Sequence, residues 1–125
     1  FAGNFRSDGM IVATPTGSTG YSLASGGPIL DAEMRALIIT PICPFTLSNR
    51  PLVTGEKEIV LEVLEHQRTN IVLTVDGQVL FELEEKDRIV VEMSSKRLRL
   101  IHSTKRNFTE VIREKLHWAG DMRNA

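Results

Sequence analysis

Residues 8–27 carry the densest chemistry in this chain: Asp8-Gly9, then Thr14-Pro15-Thr16-Gly17-Ser18-Thr19-Gly20-Tyr21-Ser22-Leu23-Ala24, then Gly26-Gly27-Pro28. Small hydroxyls, glycines and one tyrosine at this spacing suit recognition of a polar ligand. Thr and Ser oxygens both donate and accept. Gly17 and Gly20 let a ligand approach the backbone. The N–H groups left unpaired where a helix begins attract an anion or a polar ligand edge. The same residues also suit a capped turn with no ligand, because Ser and Thr are preferred caps. Composition leaves both readings open. The run matches neither GxxxxGK[ST] nor GxGxxG, so it is neither a P-loop nor the dinucleotide fingerprint.

Other candidates stand near this run or far from it. Asp8 is an acceptor for hydroxyls or amides, or an Asx-type turn residue before Gly9. Arg6, two positions upstream on the same side of an extended chain, can neutralise a ligand phosphate or pair with Asp8. Gln78 follows Asp76-Gly77 at a predicted hairpin tip. His66, His102 and His117 lack metal-ligand spacing and Cys43 has no neighbouring partner, so no metal site is expected. No Ser-His-Asp arrangement can be read from letters so far apart.

The elements that must position these residues follow from hydrophobic period. An apolar strand over 10–13 feeds the turn, and a short helix-compatible stretch follows until Gly26-Gly27-Pro28. Residues 36–42 are apolar and β-branched. Residues 58–64 carry apolar side chains on both faces, which predicts a strand at least partly covered on each. Residues 71–75 and 79–83 flank Asp76-Gly77-Gln78 as a hairpin. Residues 87–93 and 97–103 repeat the pattern about Ser94-Ser95-Lys96. The tail is an amphipathic helix: Asn107 and Glu110 form a capping-box start, with Phe108, Val111, Ile112 and Leu116 on one face. Arg113, Lys115 and His117 suit its carboxyl end, Gly120 its stop, and Trp118 a packing anchor. The expected fold is mainly β, an antiparallel sandwich or layered sheet with a short helix after the turn and a carboxyl-terminal amphipathic helix.

With 125 residues, one domain over 1–125 with a single core is expected. Hydrophobic residues make up 42% and charged ones 25%, as in an ordinary soluble protein. A net charge of −1 argues against nucleic acid. Lys96-Arg97-Leu98-Arg99 and Lys105-Arg106 read as a solvated strand face. One cysteine excludes an internal disulfide and suits a reducing cytoplasm; between Ile42 and Pro44 it reads as a buried small hydrophobe. No signal peptide is expected, and no apolar run approaches the ~20 residues of a membrane span, so no membrane partner is expected.

The run from Asp8 to Pro28 resembles the signature of the ATP/polyphosphate-NAD kinase family. Ile39-Thr40-Pro41-Ile42-Cys43-Pro44, Arg50-Pro51, Val75-Asp76-Gly77-Gln78 and the closing Phe108…Leu116-His117-Trp118 follow in that family's order. The resemblance covers about residues 6–118. It implies a carboxyl-terminal NAD-binding domain with a β-sandwich-like body and a few helices. It also implies that Asp8 contacts NAD around the nicotinamide side, that Thr16 and the run Thr19, Gly20, Tyr21, Ser22, Leu23 and Ala24 cradle the adenosine, and that Gln78 contacts the ligand. Arg6 would serve a ligand phosphate, and Cys43 and Phe45 would line the nicotinamide side. Two positions depart from the pattern: Gly20 stands where the family usually has Ala, and Phe45 where it often has His.

The reaction so implied is phosphoryl transfer from ATP, or from polyphosphate in some members, to the adenosine ribose 2′-hydroxyl of NAD, with Mg²⁺ spreading the phosphate charge. The family's catalytic Asp lies in a Gly-Gly-Asp-Gly motif of an amino-terminal α/β domain. Neither Asp8-Gly9 nor Asp76-Gly77 is preceded by Gly-Gly, and the chain begins at Phe1. It is therefore expected to be the carboxyl-terminal piece, with no catalytic residue of its own and inactive alone, partnered by that missing domain. The family also implies a homo-oligomer, a dimer or tetramer. Two alternatives are a non-catalytic NAD-sensing module, which gene sequence upstream of Phe1 would separate, and a distant lipid kinase. The run from Thr14 to Tyr21 argues against the second.

Overall fold

β-Branched and apolar residues set the strands, and Gly, Pro and Asp set the breaks between them. In the computed structural model, which describes residues 1–64, 70–96, 98, 99, 101 and 106–118, the chain divides into two compact units. The first comprises Phe1–Gly55 with Ser95–Ala125, the second Glu56–Ser94.

The first unit is built on a three-stranded antiparallel sheet of β1 (Gly9–Ala13), β2 (Leu37–Ile42) and β3 (Leu52–Thr54), in the order β1-β2-β3. β2 is central and nearly continuously apolar, as a strand covered on both faces should be. Ile38 is fully buried, and it clusters with Leu30 and Ala36. β1 pairs with β2 in the register Gly9↔Ile42 to Ala13↔Ile38. β3 pairs only with Leu37–Ile39. Pro41 therefore lies past the stretch that β3 covers, where a strand flanked by one ladder tolerates a residue without N–H. β3, short and half-exposed, was not expected from the sequence: three residues give too short a period to recognise.

Between β1 and β2 come a 3₁₀ turn (Thr16–Thr19) and the four-residue helix α1 (Tyr21–Ala24). Near the carboxyl end lies α2 (Phe108–Lys115), opened by the expected capping box: the Asn107 side chain accepts from Glu110 N–H at 2.9 Å, and Asn107 N–H donates to the Glu110 carboxylate at 3.0 Å. α2 ends before the expected stop, and Gly120 lies outside the described residues. His117 adopts φ +53°, Trp118 N–H donates to Arg113 C=O at 3.1 Å and His117 N–H to Glu114 C=O at 3.4 Å. This Schellman-type cap closes the helix with His117 in the place usually taken by glycine. Trp118 is 64% exposed, so it is not the packing anchor the pattern suggested.

The second unit contains two antiparallel pairs, β4 (Ile59–Glu62) with β7 (Arg88–Val91) and β5 (Ile71–Val75) with β6 (Val79–Leu83). The hairpin at Asp76-Gly77 forms as expected: both residues have positive φ, and Gln78 N–H donates to Val75 C=O at 3.1 Å. β7 pairs with β4 rather than with a following strand. The strand expected over 97–103 falls partly outside the described residues, and residues 98, 99 and 101 are not in a strand. Every described strand pair is antiparallel, so the mainly β expectation holds.

Candidate functional site

β1 carries the chain to the turn, and Pro15 starts the 3₁₀ helix. Its ring fixes φ in the helical range, and its missing N–H would have had no helical partner in any case. Thr14 Oγ1 accepts from Gly17 N–H at 3.2 Å, satisfying one of the donors that a helix start leaves open. Thr19 Oγ1 donates to Thr16 C=O at 3.3 Å.

The hydroxyls of this run divide into two sets. Ser18 is fully buried; its Oγ donates to Pro15 C=O at 2.5 Å and accepts from Leu30 N–H at 3.1 Å. Ser22 is 1% exposed, with its Oγ 2.8 Å from Oγ1 of the fully buried Thr40 on β2. Thr16 and Thr19 are exposed, as are Gly20, Tyr21 and Ala24, while Leu23 is half-buried. The sequence grouped Ser22 with the ligand-facing residues; in the fold its hydroxyl belongs to the interior.

Thr16 and Thr19 line a cavity of about 310 Å³ together with Pro15, Ala32 and the α2 residues Phe108, Val111, Ile112, Lys115 and Leu116. Ile112 is buried, and the apolar face of α2 looks onto the turn. Among the described residues Lys115 is the cation of that lining, and the sequence read it only as a partner for the helix dipole. Its signal was legible: positions 108, 111, 112 and 115 share one helical face, so a lysine interrupts the apolar stripe. Thr40 had a similar signal, a polar residue within the apolar run 36–42.

At the other end of β1, Asp8 N–H donates to Ile42 C=O at 2.9 Å, and Phe45 N–H donates to Arg6 C=O at 2.8 Å. The Arg6 guanidinium lies 4.9 Å from the centre of the Phe45 ring, a cation–π contact. Arg6 thus stacks on Phe45 and makes no ion pair with Asp8. Cys43 turns the chain with φ +44° and is exposed, not the buried hydrophobe expected, because the backbone leaves the sheet at that residue. Arg6, Asp8, Cys43 and Phe45 form one cluster; Thr16, Thr19, Gly20, Tyr21 and Ala24 form another. The five residues of β1 separate them by about 17 Å at roughly 3.3 Å per residue. Gln78 sits on the β5–β6 turn of the second unit.

Residues 1–103 match the profile of the ATP-NAD kinase C-terminal domain. The chain belongs to this family. It is similar to the NAD kinase of Magnetococcus marinus, 50% identical over 115 residues that cover 91% of this chain and 38% of that protein. The NAD kinase of Treponema denticola is 44% identical over 119 residues, covering 94% of this chain and 42% of that protein. The fold is similar to the crystal structure of yeast NADH kinase complexed with NADH, with a TM-score of 0.82 and 29% identity over 97% of this chain and 38% of that one. The chain spans about two fifths of the length of these relatives. Within the family domain, the signature run folds as a turn that shows solvent Thr14, Thr16, Thr19 and Tyr21.

Proposed function

We propose that this chain is the NAD-binding part of an NAD kinase, which transfers a phosphoryl group from ATP or polyphosphate to the adenosine ribose 2′-hydroxyl of NAD. The observation that carries this reading is the pair of exposed polar clusters at the two ends of β1. A dinucleotide has two nucleosides joined through a pyrophosphate, so it can engage separated clusters as a mononucleotide cannot. Thr16, Thr19, Gly20, Tyr21, Leu23 and Ala24 cradle the adenosine. The exposed Tyr21 ring offers a face to the base, and the threonine hydroxyls keep lone pairs for polar edges. Ser22, 1% exposed and with its hydroxyl engaged by Thr40, supports this segment from the interior side. Asp8 accepts from ribose hydroxyls or the carboxamide, with Arg6, Cys43 and Phe45 at the nicotinamide side and Gln78 as a further amide contact.

This chain binds and orients the acceptor hydroxyl; it supplies no general base, because its two Asp-Gly pairs lack the Gly-Gly-Asp-Gly setting. Mg²⁺, when bound, neutralises charge on the transferred phosphate. Among the described residues no group of three or more His, Cys, Asp or Glu stands together to hold a metal ion. We also propose a homo-oligomer, supported by the exposed Val60, Leu80, Phe81 and Val90 on the second unit's strands. The exposed thiol of Cys43 supports a reducing cytoplasmic setting. Among the described residues no helix is long and apolar enough to cross a membrane.

Calorimetric titration with NAD, followed by assay of NADP formation with ATP and Mg²⁺, tests the reading. The chain is expected to bind NAD weakly and make no NADP alone. Adding the amino-terminal part of the Magnetococcus relative is expected to restore turnover. A folded chain that does not bind NAD refutes the binding role, and NADP made by the chain alone refutes the division of labour.

A further inference from the structure

We propose that Thr40 is a positioning residue for the nucleotide-facing segment, acting through Ser22; this rests on the reading of residues 16–24 as the adenosine cradle. α1 has four residues and no side-chain cap, far below the length at which a helix holds itself in water. Its geometry must be imposed from outside.

Two groups of Ser22 receive that constraint. The Oγ is hydrogen-bonded to Thr40 Oγ1 at 2.8 Å, and the carbonyl accepts from Gly27 N–H at 2.8 Å. Thr40 lies on the central strand, opposite Ile11, in the best-buried part of the sheet. Gly27 closes over the pair so tightly that a Cβ there would stand 2.9 Å from Thr40 Oγ1. Ser22 is thus held from the strand side and from the loop side. Its neighbours Thr19, Gly20, Tyr21 and Ala24 stay exposed. Rigid sheet on one side and solvent-facing recognition groups on the other is the arrangement that a preorganised site needs. Thr40, fully buried, does not touch the ligand; it sets where Tyr21 and Thr19 stand.

The test separates positioning from stability with three variants of the 125-residue chain. Thr40→Val keeps the shape and leaves the Ser22 hydroxyl buried without its partner. Thr40→Ser keeps the hydrogen bond. The double variant Ser22→Ala/Thr40→Val removes both hydroxyls, and replacing both partners by apolar groups can be nearly neutral for stability. Thr40→Ser is expected to keep the wild-type NAD affinity. The double variant is expected to recover wild-type thermal stability while binding NAD about tenfold more weakly, a factor worth about 1.4 kcal/mol. Recovery of affinity together with stability in the double variant would overturn the proposal. If the folded wild-type chain binds no NAD, the cradle reading fails, and amide hydrogen exchange across residues 19–24 then decides about Thr40. Faster exchange in the double variant supports positioning, and unchanged exchange overturns it.

Discussion

Among the described glycines, Gly27→Ala should be the most damaging single-methyl change. The added Cβ would stand 2.8 Å from the Ser22 carbonyl oxygen and 2.9 Å from Thr40 Oγ1, with the Ser22 Oγ also in its way. A carbon cannot approach oxygen so closely, and none of these atoms is the free end of a flexible chain. Ser22 is 1% exposed and Thr40 is fully buried, so neither can swing into solvent. Either the Gly26–Pro28 loop lifts, breaking Gly27 N–H to Ser22 C=O, or the hydroxyl pair parts. Overpacking of a tight interior costs about 1–3 kcal/mol. One lost buried hydrogen bond adds about 1 kcal/mol. The sum, about 2–4 kcal/mol, is a large share of the roughly 5–15 kcal/mol that hold a domain together. With a slope of about 2 kcal/mol per molar, the urea midpoint should fall by about 1–2 M.

Urea unfolding followed by far-ultraviolet circular dichroism is the suitable assay, because the exposed Trp118 reports poorly on the interior. Gly55→Ala is the control: a Cβ there meets nothing within 4 Å, and its effect should stay within about 0.5 kcal/mol. A Gly27→Ala protein no less stable than Gly55→Ala would refute the close packing of Gly27 on Ser22 and Thr40.

Gly20→Ala places a Cβ 3.3 Å from the Gly17 carbonyl oxygen, so the backbone there must yield by a few tenths of an ångström. It should tighten NAD binding in calorimetry by about fourfold, the worth of roughly 0.8 kcal/mol for one buried methyl-sized group. Asn107→Ala removes the cap of α2 and should lower stability in urea by about 1 kcal/mol, while Asn107→Asp should hold it. Lys115→Met keeps the side-chain stem in the cavity and removes its charge. If a ligand phosphate reaches that cavity, NAD affinity should fall about threefold, in the range of a solvent-screened charge contact, and its salt dependence should flatten. Unchanged affinity and salt dependence would place the phosphates elsewhere.

Where local chemistry decides the outcome, the sequence was sufficient. Asp76-Gly77 between two apolar runs specified the β5–β6 hairpin because both turn residues tolerate positive φ. Asn107 and Glu110 specified the capping box because both of its hydrogen bonds lie within four residues. The run of Thr, Pro, Gly and Ser after β1 specified a turn at the strand's end, and with it the family signature.

Tertiary packing decided the rest. β7 pairs with β4 across intervening sequence, a choice that no local pattern encodes. Four hydroxyls of one short run are chemically equivalent as letters, yet Thr16 and Thr19 face solvent while Ser18 and Ser22 face the interior. That division follows from where Leu30 and Thr40, 12 and 18 residues away, supply partners for buried oxygens. Cys43 reads as buried between Ile42 and Pro44, but a left-handed turn at that residue carries it out to solvent. Residue type sets what a side chain can do, whereas burial and partner supply, fixed by contacts distant in sequence, set which of those things it does.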